Sequence, residues 1–224
     1  MMTMLTILPG IEVIAEDRIP VDTKLVLAMD CSSSIQPDEW FIQVTGTANA
    51  ISDLEIVRLI SLGKHGRIAV IAICWSHDIQ QKVTVEWSII SNQAEAEEFA
   101  EKLRAVPHSY KSQTHVGPAL RFATALLQTS PYVAERSVID ISGDDSASFD
   151  DNTVEIERQR ADQLGFMINA LTIGPRNHGV HKFYRERVIA GEGAFIEEVY
   201  DGKSLYEFVM AMKRKLTREL KLGV

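Results

Sequence analysis

The chain reads as an α/β protein: a mostly parallel sheet with helices on both faces and one antiparallel edge strand. Three observations predict this. Residues 25–29 and 67–75 are continuous apolar runs, the pattern of strands covered on both faces. Strand-like and helix-like stretches then alternate along the chain, the order of βαβ units. Only about six residues separate the run at 67–75 from a partly alternating run at 82–89, whereas a parallel crossover needs a dozen or more. Those two runs are therefore expected to pair as a hairpin, with the second at the edge.

Each element has its own signal. After the strand at 25–29, helical periodicity starts at Pro37 and places Trp40, Val44, Ala48 and Ile51 on one face. Ser52 with Glu55 has the form of a capping box for a second short helix, residues 54–60, stopped by Gly63 and Gly66. Asn92 with Glu95 caps a helix over 93–105 that buries Phe99 and Leu103. A polar loop, 107–113, leads into a helix that follows Thr114 and reaches about Gln128. A strand at 136–141 runs into Ser142-Gly143-Asp144-Asp145. A helix over 154–164 follows, with Thr153 as cap and Gly165 as stop. Then come a strand at 166–173, a short helix near 182–188 and a strand near 194–199. Leu205, Phe208, Val209, Met212 and Leu216 stripe a closing amphipathic helix, and the basic run Lys213-Arg214-Lys215 is read as its exposed face.

The bulk composition narrows the function classes. At 224 residues, 46% hydrophobic and 24% charged, the chain can bury a sizeable core. Its 23 Lys and Arg against 31 Asp and Glu give a net charge of −8, and no basic block stands out. That balance disfavours nucleic acid, whose phosphates need clustered cations, and suits a bound metal or a cationic partner. Residues 1–20 read as a lead-in, a degenerate or trimmed signal, and residues 21–222 as one domain. Arg18 is the first basic residue, so a positively charged n-region is missing. No apolar stretch reaches the roughly 20 residues of a membrane span. The expectation is a soluble protein, either cytoplasmic or exported, with no oligomeric state implied. The two cysteines, Cys31 and Cys74, fall at strand ends that could lie side by side. Two separate buried thiols are expected, with a disulfide as the alternative.

Three segments concentrate hard oxygen donors at strand ends or helix starts: Asp30, Ser32 and Ser34; Thr114; and Asp144 with Asp145. Magnesium takes oxygen ligands in an octahedron and keeps some waters. With neutral hydroxyls as direct ligands and aspartates acting through water, the ion would stay positive and attract a partner's carboxylate. Taken alone, Asp-x-Ser-x-Ser fits equally well as hydroxyls capping the next helix. Other signatures are missing. The six histidines show no metal spacing, His178 and His181 read as a solvated helix start, and His115 as a rim or plain surface residue. There is no Gly-x-Ser-x-Gly elbow, phosphate loop or Gly-x-Gly-x-x-Gly fingerprint. Trp40, Trp75 and Trp87 read as packing.

Asp30-Cys31-Ser32-Ser33-Ser34 with Thr114 and Asp144 resembles the metal-ion-dependent adhesion site of von Willebrand factor type A domains. The resemblance covers roughly residues 21–222. More narrowly, Val138-Ile139-Asp140-Ile141-Ser142-Gly143-Asp144 and Tyr184-Arg185-Glu186-Arg187-Val188-Ile189-Ala190-Gly191 resemble a bacterial A-domain group of unknown function. The resemblance implies a doubly wound, Rossmann-like three-layer sandwich with a six-stranded sheet in the order 3-2-1-4-5-6. It implies Mg2+, or Mn2+ or Ca2+ in its place, with Ser32 and Ser34 as direct ligands. Thr114 would bind directly or through water, and Asp30 and Asp144 would hold bridging waters. Two departures stand out: Asp145 replaces the family's usual glycine, and Cys31 fills a variable position, where it is expected to point into the fold. The expected function is a cation-dependent protein-binding module rather than an enzyme, its partner presenting an Asp or Glu side chain to the ion. The alternatives are a metal-assisted hydrolase of phosphate esters, with Asp145 or His115 as the nearby base, and a metal-free structural domain.

Overall fold

The computed structural model describes residues 18–108, 112–145, 153–174 and 179–221. In chain order the elements are β1 (Ile19–Asp30), α1 (Pro37–Ile51), α2 (Leu54–Ser61), β2 (Ile68–Trp75), β3 (Gln81–Ile90), α3 (Gln93–Arg104) and α4 (Val116–Thr129). They continue with β4 (Tyr132–Gly143), α5 (Thr153–Gln163), β5 (Met167–Ile173), α6 (Val180–Phe183) running into a π-helical turn (Tyr184–Val188), β6 (Ile196–Val199) and α7 (Leu205–Lys221). The expected lead-in, up to residue 17, lies outside the described residues.

One sheet has the order β3-β2-β1-β4-β5-β6. Every pairing is parallel except β2 with β3, which is the antiparallel hairpin its short connection requires. The fold is thus the doubly wound α/β sandwich expected from the resemblance. The continuous apolar runs follow from a core on each side of the sheet. From β1, Leu25, Leu27 and Met29 join the layer made with α1, α2, α3 and α7. Val26 and Ala28 face the opposite layer, built with α4, α5 and α6. In β2, Val70, Ala72 and Cys74 point one way and Ile71, Ile73 and Trp75 the other. Alternation persists along each strand, but both faces are buried, so the sequence shows no polar phase. Register then aligns strand ends: Asp30 sits opposite Trp75, and Met29 opposite both Cys74 and Ser142.

Several local expectations need correction. The α2 cap is Asp53, whose carboxylate accepts from the Glu55 N–H, so the cap lies one residue beyond Ser52 while the helix begins at Leu54 as expected. Strands β1 and β4 extend well past the apolar runs, because they pair with each other from Ile19 and Tyr132 onward. Cys31 and Cys74 form a disulfide, their Cα atoms 5.8 Å apart, in place of two separate thiols. Cys31 lies just past the end of β1, two positions beyond the Met29 that pairs with Cys74, and both side chains enter the same core layer, a juxtaposition apolar surroundings alone do not reveal. Lys215 is not on an exposed face: it is 0% exposed and salt-bridged to Asp140 and Glu219, both at 2.7 Å. His181 is held at 2.5 Å from Glu198 with its side chain mostly covered, while His178 lies outside the described residues.

Candidate functional site

The C-terminal ends of the two central strands, β1 and β4, and the loop before α4 meet at the carboxyl end of the sheet. Asp30 ends β1 fully buried, and its Oδ1 accepts from the Ser32 N–H at 2.8 Å, which bends the chain back over the strand end. Ser32 Oγ then lies 3.0 Å from Ser34 Oγ, and Thr114 Oγ1 donates to Ser32 Oγ at 3.1 Å. From the far side, Ser34 Oγ donates to Asp144 Oδ1 at 2.7 Å. The structure therefore brings together all five of Asp30, Ser32, Ser34, Thr114 and Asp144, across a sequence separation of 110 for the Ser34–Asp144 contact. Asp145 is exposed beside them.

These hydroxyls do not cap α1. The cap position is Gln36, whose N–H is taken by Glu39 Oε2 at 2.9 Å. With that demand met two residues further on, Ser32 and Ser34 turn toward the site instead.

Charge is poorly balanced there. Burial, followed by the charge of Asp144, pushes the Asp30 carboxyl up to about 8, against the opposing hydrogen bonds from Ser32. Its Oδ2 is buried and has no hydrogen-bond partner among the described residues. Asp144 is also raised, by burial first and then by Asp145 and Glu39, with the Ser34 hydrogen bond opposing. One buried and one half-buried carboxylate, with no cationic side chain acting on them among the described residues, leave a deficit of positive charge.

The donor set suits a small, hard divalent cation. All five groups offer oxygen, and the neighbouring hydroxyls stand 3.0 and 3.1 Å apart. These are hydrogen-bond distances between neighbouring hydroxyls; an ion entering among them would take the place of those contacts, and oxygen-only donors of this kind suit Mg2+ or Ca2+.

Sequence reading missed two supporting side chains. Gln43 of α1 is buried under the site, donating to the Asp30 carbonyl at 3.3 Å while Ser142 Oγ donates to its Oε1 at 3.2 Å. It therefore ties the ends of β1 and β4 together. Tyr184 comes up from the π-helical turn, fully buried, with its hydroxyl next to the site. A methyl added at Gly143 would stand 2.3 Å from Tyr184 Oη and 3.2 Å from Asp30 Oδ2, so only glycine admits this packing. Helical periodicity marks Gln43 as inward-facing; nothing local in the sequence points to Tyr184.

A third group lies at the rim. His115 Nδ1 is 2.5 Å from Asp78 Oδ1, and the His77 and His115 rings are 4.5 Å apart. The reading of His115 as a plain surface residue fails here, because the turn after β2 folds over the start of α4.

Residues 20–223 match the family described as "Protein of unknown function (DUF1194)". No protein of curated function matches the sequence. Among solved structures, the von Willebrand factor domain of the type V pili tip protein Mfa5 from Porphyromonas gingivalis aligns with a TM-score of 0.64 at 11% identity, over 91% of this chain and 96% of that one. The pilus adhesin SpaC from Lactobacillus rhamnosus GG aligns with a TM-score of 0.65 at 12% identity, over 91% of this chain but 31% of that chain, so this chain spans about a third of the adhesin's length. A von Willebrand factor type A protein from Catenulispora acidiphila aligns at 0.51 and 16% identity, over 88% of this chain and 43% of the other. At such identities the likeness is one of fold.

Proposed function

The chain belongs to the DUF1194 family and has the von Willebrand factor type A fold, and from that premise we propose that it is a divalent-cation-dependent protein-binding module. The observation that carries this reading is the cluster of three hydroxyls within hydrogen-bond reach, above a buried Asp30 oxygen that has no partner among the described residues. Ser32, Ser34 and Thr114 would hold the ion directly, with Asp30 and Asp144 behind them taking its waters. The cation, Mg2+, or Mn2+ or Ca2+ in its place, would supply positive charge and an open coordination position. An Asp or Glu from a partner protein would enter there, as that charge and the hard-ligand preference demand. Two of the solved relatives are pilus proteins by their descriptions, which supports a binding role over catalysis.

Hydrolysis of a phosphate ester would need a base poised over the ion, and the two side chains that could serve are Asp145, exposed beside the site, and His115, whose Nδ1 is held by Asp78. The disulfide supports an exported protein, since such bonds persist in oxidising compartments. Among the described residues no helix is long and apolar enough to cross a membrane.

The test is capture of partners from source lysate by the immobilised chain, in millimolar magnesium and again in chelator. Partners that appear only with magnesium, and not with Ser32→Ala, support the reading. Partners that persist in chelator overturn it in favour of metal-free assembly. Phosphatase activity lost in Asp145→Ala would overturn it in favour of hydrolysis.

A further inference from the structure

We propose that His77, Asp78 and His115 form a second metal site, specific for a transition ion such as Zn2+ rather than for magnesium. One ligand atom from each of the three lies within 4.8 Å of the others, the only such His, Cys, Asp or Glu group among the described residues. Two imidazoles and one carboxylate make a three-ligand zinc set that leaves a fourth position for water or a partner's side chain. Imidazole nitrogen suits zinc, copper and nickel, whereas magnesium prefers oxygen, so the two sites differ in chemistry even though His115 directly follows Thr114.

The backbone holds the three residues in place without calling on the ligand atoms. Ser76 N–H donates to the Gln80 carbonyl at 3.1 Å, and the His77 carbonyl accepts from Gln80 N–H and Gln81 Nε2, both at 2.8 Å, which closes the turn that carries His77 and Asp78. The His115 N–H donates to the Ser76 carbonyl at 3.1 Å, and Ser76 Oγ donates to the Gln113 carbonyl at 3.1 Å. The turn after β2 and the entry to α4 are thus stitched together across 37 positions of sequence. Ions can reach the cluster, because the Asp78 side chain is 56% exposed while that of His115 is 17% exposed. The ligands of a zinc ion with arms of about 2.0–2.1 Å stand about 3.4 Å apart. The 2.5 Å Asp78–His115 contact would open by less than 1 Å as the metal takes the place of the proton between them.

This inference is independent of the magnesium reading, and the experiment keeps them apart. Untagged protein in saturating magnesium is titrated with Co2+, a coloured stand-in for Zn2+, and then with Zn2+ in competition. The expected result is one equivalent of Co2+ bound with visible ligand-field bands, displaced by Zn2+, and unchanged in Asp30→Ala. His77→Ala and His115→Ala should each weaken binding by at least about 100-fold, beyond the 10–100-fold cost of losing a group that only orients a ligand. His77→Ala removes a ring tilted against that of His115 but leaves the Asp78–His115 pair, so it reports on the site without disturbing that contact. No Co2+ bound by the wild type, or binding retained by both histidine variants, overturns the proposal. Binding lost in Asp30→Ala also overturns it, by placing the ion among the hydroxyls.

Discussion

Asp140→Asn should change how stability depends on pH. Lys215, Asp140 and Glu219 are all buried between β4 and α7, with Lys215 Nζ at 2.7 Å from each carboxylate. Asn169 Nδ2 adds one donor to Glu219 at 2.9 Å, yet among the described residues Asp140 Oδ2 and Glu219 Oε2 have no partner. Two carboxylates share one ammonium, so the cluster favours one proton. Burial, together with the Glu219 charge and against the pull of Lys215, raises the Asp140 carboxyl from 3.8 to about 7. A carboxyl raised on folding binds its proton more tightly in the native state. Its contribution is fully present below about pH 4 and is lost as pH rises through about 7. Between pH 5 and pH 8 the loss is about 2–3 kcal/mol. Asparagine keeps the shape and can still accept from Lys215, but it cannot ionise. Relative to Asp140→Asn, the wild type should therefore lose about 2–3 kcal/mol over that interval, or about 4–12 °C in melting temperature for a chain of this size. Urea unfolding of both proteins at unit steps from pH 5 to pH 8 measures it. A difference that stays constant within about 0.5 kcal/mol would refute the shared-proton cluster.

Two further outcomes follow from the packing around the site. Gly143→Ala forces a methyl against Tyr184 Oη and Asp30 Oδ2, and should cost about 1–3 kcal/mol in urea denaturation. Adding Tyr184→Phe removes the nearer of those two atoms and should restore part of the loss, whereas no recovery would mean the strain lies elsewhere. Reducing the Cys31–Cys74 bond, which closes a loop of sequence separation 43, should lower stability by about 2–4 kcal/mol. Thiol titration of the denatured protein should find no free thiol before reduction and both afterwards; two free thiols in unreduced protein would contradict the bond.

The parts legible in the sequence were those that depend on local pattern. Runs 25–29 and 67–75 named β1 and β2 because both faces of those strands are buried, and the short loop named the hairpin. Asp30, Ser32 and Ser34 were visible as a strand end. Their meeting with Thr114 and Asp144 depends on strand register, which came from a family resemblance and not from any residue. Lys215 shows a conflict between two local signals. It lies seven residues after Phe208 and four before Glu219, on the inward stripe, yet its neighbours Lys213 and Arg214 made the run look solvated. Periodicity was the better guide. The His77–His115 contact and the disulfide needed tertiary structure, since each joins segments whose own sequence carries no metal or disulfide spacing.

The central claim is that Ser32, Ser34, Thr114, Asp30 and Asp144 hold a divalent cation. The melting temperature of purified protein with and without magnesium, for the wild type and for Ser32→Ala, tests it most directly. At 100 times the dissociation constant, a ligand of the native state adds about 2.7 kcal/mol, or about 5–11 °C here. The wild type should shift by that amount and Ser32→Ala not at all. A wild-type melting temperature unmoved by millimolar Mg2+ and Mn2+, or a shift that survives Ser32→Ala, would contradict it.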